Sequence, residues 1–147
     1  MKSANFLREL EMFFLALADQ TRLRLLNLMR AEEVCVCFLT DVLGESQPKI
    51  SRHLAYLRSA GLVEARRDGK WMHYRIIVPE NEIARRVLDE TLRGLKERKD
   101  MQDEYEKLSA LCHAPAVPTL IPRDSKPDTF AQPYINQSRE ELETFLL

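Results

Sequence analysis

Between residues 38 and 78 the chain changes its hydrophobic period, and nothing else in the sequence constrains the fold as much. Residues 38–43 read as a short helix that stops at Gly44, a residue suited to the left-handed C-terminal position. Ser46 can cap the next helix, 47–59, with Pro48 in its first turn, where a missing N–H does no harm. Ile50, Leu54 and Leu57 give that helix a narrow apolar stripe, and Gly61 ends it. Two runs of strand character then flank Asp68-Gly69, a strong hairpin signal because a type I′ turn needs positive φ at both positions. Helix, turn, helix and hairpin in that order predict a helix-turn-helix with a wing.

The flanks read as helices. Phe6, Leu10, Phe13, Phe14 and Leu17 recur at three and four over about 4–17. Asp19 suits the N-cap of a second helix reaching about Arg30. A long last helix is expected from about Glu80 to Leu111, with the charged stretch Lys96 to Asp100 marking a place to kink. The predicted fold class is mainly α with a β-hairpin, a winged helix-turn-helix whose long terminal helices form a dimer interface. Residues 1–113 are expected to form this domain. Residues 114–147 hold five of the seven prolines and read as an extended tail, with a capping box at Ser138 and Glu141 before a short terminal helix.

Charge locates a partner. The chain carries 22 Lys+Arg against 23 Asp+Glu, so it is nearly neutral overall. Yet residues 46–75 hold Lys49, Arg52, Arg58, Arg66, Arg67, Lys70 and Arg75 against only Glu64 and Asp68. The basic patch falls on the second helix and the wing, the surfaces such a module turns to double-stranded DNA. With Ile50, Leu54 and Leu57 facing inward, Gln47, Lys49, Ser51, Arg52 and His53 are expected outside or at the rim. Gln47 suits adenine, and Arg52 or Lys49 suits guanine or phosphate. Ser51 is short enough for a close backbone contact. His53 is balanced between this role and a buried bridge between helices. Arg66, Arg67 and Lys70 are expected at the hairpin tip, within reach of phosphate.

The sequence is also informative by exclusion. The longest apolar run ends at Ala18, far short of the roughly 20 residues of a membrane span. Arg8, Glu9 and Glu11 interrupt any secretory signal. Three cysteines are too few for a disulfide scaffold, so a reducing cytoplasm is expected. Catalysis is not expected: there is no Cys-x-x-Cys and no βαβ pattern.

Cys35 and Cys37 are two apart. On a regular helix they would diverge by about 200° and could not share an ion. In an extended segment they share a face, and the β-branched Val34-Cys35-Val36-Cys37 stretch just before the short helix favours extended or first-turn geometry. At a helix N-terminus the dipole also favours thiolate. Two soft sulfurs select a soft ion over zinc.

Three stretches, in order, resemble the ArsR/SmtB repressors: Leu17-Ala18-Asp19-Gln20-Thr21-Arg22 through Leu26, Glu33-Val34-Cys35-Val36-Cys37-Phe38-Leu39, and Ser46-Gln47-Pro48-Lys49-Ile50-Ser51-Arg52-His53-Leu54 through Val63. The likeness continues through Gly69-Lys70-Trp71-Met72-His73-Tyr74-Arg75. It implies a homodimeric winged-helix repressor that leaves its operator when a metal or metalloid binds. The Cys-Val-Cys segment is similar to the arsenite-responsive branch, which implies arsenite or antimonite as effector. That branch often has a further cysteine where this chain has Thr40. The zinc-responsive branch carries histidine ligands on the last helix, and from Glu80 to Leu111 there is no His. Trivalent arsenic or antimony takes three sulfurs, so Cys112 joins Cys35 and Cys37 as a candidate ligand. The alternative is a thiol redox sensor in which Cys35 or Cys37 bonds Cys112 and no metalloid takes part.

Overall fold

The computed structural model describes residues 2–113. The expected tail, 114–147, with its terminal helix, lies outside the described residues. The elements run α1 (Lys2–Leu17), α2 (Gln20–Leu28), β1 (Val34–Cys35), α3 (Val36–Leu43), α4 (Gln47–Ser59), β2 (Val63–Asp68), β3 (Trp71–Ile76), α5 (Glu82–Glu97) and α6 (Lys99–Cys112). This is the predicted winged helix-turn-helix, mainly helical with a small antiparallel sheet.

Local chemistry sets the boundaries. Asp19 caps α2, its Oδ1 accepting from the Arg22 N–H at 3.0 Å. Ser46 caps α4, its Oγ accepting from the Lys49 N–H, and Pro48 occupies the first turn. Gly44 closes α3 at φ 64°, where a Cβ would be strained. Leu25, Leu26, Leu28, Leu39, Ile50, Leu54 and Leu57 are fully buried and form the centre of the core. Each contributes roughly 1.5–3 kcal/mol by leaving water. The core is thus built from α2, α3 and α4, which fixes the recognition helix, α4, against the rest.

Three expectations change. The long last helix is two helices: Arg98 is extended (φ −81°, ψ 132°) between α5 and α6. No proline is needed for the break. The Gln102 side chain donates to the Lys96 carbonyl at 2.8 Å and meets one of the carbonyls the break leaves open. The hairpin loop is Gly69-Lys70, because Asp68 already pairs with Trp71. Only Gly69 takes positive φ there, so glycine leads the turn as in type II′ and Asp68 stays extended. Finally, the wing is not a lone hairpin. Val34 and Cys35 add a short third strand, giving the order β1-β3-β2.

Candidate functional site

The helix-turn-helix presents α4 with Arg52 exposed and with Gln47 and Lys49 half-buried at its N-terminal end. Lys49 Nζ lies 3.0 Å from Glu45 Oε1, an exchangeable pair beside the surface. Lys70 stands exposed in the hairpin loop, and Arg67 is exposed one pair in from it. Gln47, Lys49, Arg52, Arg67 and Lys70 keep the accessibility that a DNA contact needs.

Three residues expected on this face are placed differently. Ser51 is buried, at 7% exposure, because it lies one position from Ile50 on the inward side of α4. His53 turns inward too. Its Nδ1 lies 3.2 Å from Nη1 of Arg22 and 3.7 Å from Oδ1 of Asp19, so it bridges α4 to the start of α2. Burial first, then the neighbouring Arg22, Lys49 and Arg52, lower its pKa below 6.5, against the opposing pull of Asp19. Arg66 is not at the tip. It pairs with His73 in the ladder, and its guanidinium is held by Glu33.

Sequence reasoning missed the role of Arg22. Its Nε and Nη2 donate to the carbonyls of Ala16 and Leu15 at 2.8 and 3.0 Å, closing the end of α1. Its guanidinium also stacks 4.2 Å from the centre of the Tyr56 ring. One side chain therefore ties α1, α2 and α4 together. The available signal was an arginine in the first turn of a helix, where the dipole disfavours a cation.

The second site lies at the junction of β1 and α3. Cys35 is the N-cap of α3, extended at φ −69° and ψ 138°, and Cys37 sits in the first helical turn. An extended residue followed by a first-turn residue, a combination of the two expected geometries, brings the sulfurs together. Sγ of Cys35 lies 3.1 Å from Sγ of Cys37. Cys35 is buried and Cys37 half-buried. Thr40, in place of a further cysteine, donates from Oγ1 to the Val36 and Cys37 carbonyls at 3.1 and 2.8 Å. Cys112, half-buried, ends α6 and packs against the core. Among the described residues no group of three His, Cys, Asp or Glu side chains is gathered where it could hold a metal ion. The structure thus unites Cys35 and Cys37 and does not group Cys112 with them. Two sulfurs this close are a donor pair that suits a soft ion, while among the described residues no third or fourth ligand is gathered with them as zinc would need.

A family profile described as "Bacterial regulatory protein, arsR family" matches residues 19–65, from the cap of α2 into β2. The arsenical resistance operon repressor of Escherichia coli (strain K12) is 44% identical over 95 residues, covering 64% of this chain and 80% of that protein. An arsenic resistance transcriptional regulator of Pseudomonas putida is 56% identical over 64 residues, covering 43% of this chain and 50% of that protein. Among solved structures, the homodimeric winged helix-turn-helix DNA-binding domain Mb0332 of Mycobacterium bovis superposes with a TM-score of 0.54. It is 29% identical over 67% of this chain and 92% of that one. HlyU of Vibrio cholerae superposes with a TM-score of 0.52 at 27% identity, over 58% of this chain and 90% of that one. Among the described residues no helix is long and apolar enough to cross a membrane. The profile match, the coverage of the repressor and the shared fold agree: the chain belongs to the arsR family of bacterial regulatory proteins and is a DNA-binding transcriptional repressor, not an enzyme.

Proposed function

We propose that the protein represses transcription in the cytoplasm as a homodimer on a partly palindromic operator, and releases it when trivalent arsenic or antimony binds its thiolates. The observation that carries this reading is the 3.1 Å approach of the Cys35 and Cys37 sulfurs at the N-terminus of α3. An all-sulfur pair is the donor set a soft trivalent ion takes, and relatives named for arsenical resistance support that choice. Cys112, or a small-molecule thiol, supplies the third sulfur.

Position supplies the mechanism. α3 is the first helix of the helix-turn-helix, and only Gly44, Glu45 and Ser46 separate it from α4. Drawing Cys35 and Cys37 onto one ion changes the backbone where α3 begins. A conformation that holds the ion better and DNA worse couples the two sites reciprocally. A loss of about 100-fold in DNA affinity needs about 2.7 kcal/mol of coupling. Gln47, Lys49 and Arg52 on α4, with Arg67 and Lys70 on the wing, are the proposed DNA contacts.

The test is a DNA-binding titration of the wild type and Cys112→Ser against arsenite, antimonite and zinc. Release by the first two and not by zinc is the expected result. Release by oxidant alone, insensitive to arsenite, would replace this reading with the thiol redox sensor.

A further inference from the structure

The segment that carries the cysteine pair is also a strand of the wing. β1 pairs with β3, Cys35 opposite His73. Arg66 of β2 pairs with the same His73 from the other side. β1 and β2 do not touch, since β3 lies between them. One side-chain contact nevertheless spans the sheet. Glu33, two residues before Cys35, accepts from Nε of Arg66 at 3.0 Å on Oε1 and 3.1 Å on Oε2, and Nη2 of Arg66 also donates to Oε1. His73 Nδ1 lies beneath the pair, 3.7 Å from Glu33 Oε1. Nη1 of Arg66 is 3.8 Å from Oδ2 of Asp68. Two carboxylates thus meet the charge of Arg66, which binds the sheet to itself. The hydrogen bonds from Arg66 also hold the Glu33 carboxyl below its ordinary range.

We propose that Glu33 and Arg66 are positioning residues, a clasp that fastens the cysteine segment to the wing and carries a change at Cys35 and Cys37 across the sheet to the DNA-contacting tip. The proposal rests on reading the cysteine pair as the effector site. β1 is only two residues long, so its ladder alone holds it weakly to β3. Without the clasp, movement of Cys35 is absorbed in the loose segment, and only the route through α3 remains. An exposed ion pair adds little to stability, so the fold survives its removal and the coupling can be read separately.

The experiment uses the full chain, sodium arsenite and a duplex selected from a random pool by the wild type. Glu33→Ala and Arg66→Met are compared with wild type and with the exchanged pair Glu33→Arg with Arg66→Glu. Arsenite binding is read by equilibrium dialysis, and DNA affinity by anisotropy across a salt series. Both single variants are expected to bind arsenite as wild type does, and to keep the wild-type salt slope. The factor by which arsenite weakens DNA binding should fall about tenfold in each. The exchanged pair should regain most of it. Release at the wild-type factor in both single variants overturns the clasp and leaves the effector reading intact. A salt slope flattened by about one in Arg66→Met shows a phosphate contact instead, which also overturns the clasp. A wild type that keeps its DNA under arsenite overturns both readings.

Discussion

Arg22 Nη1 on α2 and His53 Nδ1 on α4 stand 3.2 Å apart. Arginine can only donate, so Nδ1 is the acceptor and His53 is neutral in this arrangement. Burial, Arg22, Lys49 and Arg52 disfavour the imidazolium more than Asp19 favours it, and the pKa lies below 6.5. The native state therefore binds this proton less readily than the unfolded chain. The neutral ring contributes stability that is full above about pH 6.5 and is lost as pH falls through the lowered value. His53→Gln can keep an acceptor toward Arg22 while removing the titration. Urea unfolding at pH 8 and pH 5.5 should show a smaller pH difference in the variant than in wild type. Its DNA affinity at pH 8 should stay within about threefold of wild type, because the side chain faces α2.

The same residues mark how far the sequence could be read. The order of helices, the hairpin and the caps at Asp19 and Ser46 are local, and local patterns disclosed them. Ser51 was misplaced, and His53 was left between the DNA face and the helix bridge it makes, because a 3.6-residue stripe gives the centre of a buried face and not its width. In α4 the buried arc reaches past Ile50 to Ser51 and tilts His53 toward α2. β1 was hidden because two residues carry no period, and its pairing with β3 joins segments nearly forty residues apart. The Glu33–Arg66 pair was hidden for the same reason. The cysteine pair was legible as a donor set, but its geometry was open between extended and first-turn. It depends on the chain turning from strand to helix between the two residues.

Asn27 should prove more important to stability than its polarity suggests. It is fully buried in α2, with Nδ2 donating to the Met101 carbonyl of α6 at 3.0 Å and Oδ1 accepting from Arg30 Nη1 at 2.8 Å. Asn27→Leu removes the bonds that tie α2 to the Met101 carbonyl and to Arg30, at a cost of roughly 0.5–1.5 kcal/mol for each. Urea denaturation should show the loss, and hydrogen exchange should quicken first in α6. A variant as stable as wild type would mean that the buried leucine offsets the lost bonds between α2 and α6.

Lys49 and Arg52 should give different signatures in DNA binding. Lys49→Ala, if it removes a phosphate contact, weakens binding to all sequences alike and lowers the salt slope by about one. Glu45, which now pairs with Lys49, would then repel DNA and deepen the loss. Arg52→Ala, if it removes a base contact, costs about 1–3 kcal/mol and relaxes preference at one position. Anisotropy on matched and mismatched duplexes separates the two, and wild-type binding by both would place the DNA face elsewhere.

The dimer should form through α1 and the last two helices. Phe6, Leu7, Phe14 and Leu15 on α1 remain exposed, as do Ile83 on α5 and Leu111 on α6, while Phe13 and Ala16 fill the inner side of α1. That leaves more apolar surface than one trihelical core needs. A symmetric pair would bring two recognition helices to half-sites about 34 Å apart. Leu7→Glu with Phe14→Glu should yield a folded monomer by sedimentation velocity, with unchanged helical circular dichroism and far weaker operator binding. A wild type that sediments as a monomer and binds one copy per duplex would refute the dimer.

The cysteine substitutions divide the models of release. Cys35→Ser and Cys37→Ser should each keep dimerisation and DNA binding, since both residues sit at the start of α3 and away from Arg52 and Lys70. Each should lose release by arsenite, because a neutral hydroxyl replaces a soft thiolate. Cys112 ends α6 and is not grouped with the pair among the described residues, so its substitution reads a different quantity. An intermediate loss in Cys112→Ser identifies it as the third sulfur, brought in as the site forms. Full release in Cys112→Ser, with none in the other two, identifies a two-thiolate site completed by a small-molecule thiol. Retained release in both Cys35→Ser and Cys37→Ser would remove the metalloid from the mechanism. The repressor would then stand on α4 and the wing, whose basic residues Lys49, Arg52, Arg67 and Lys70 lie outside the cysteine segment.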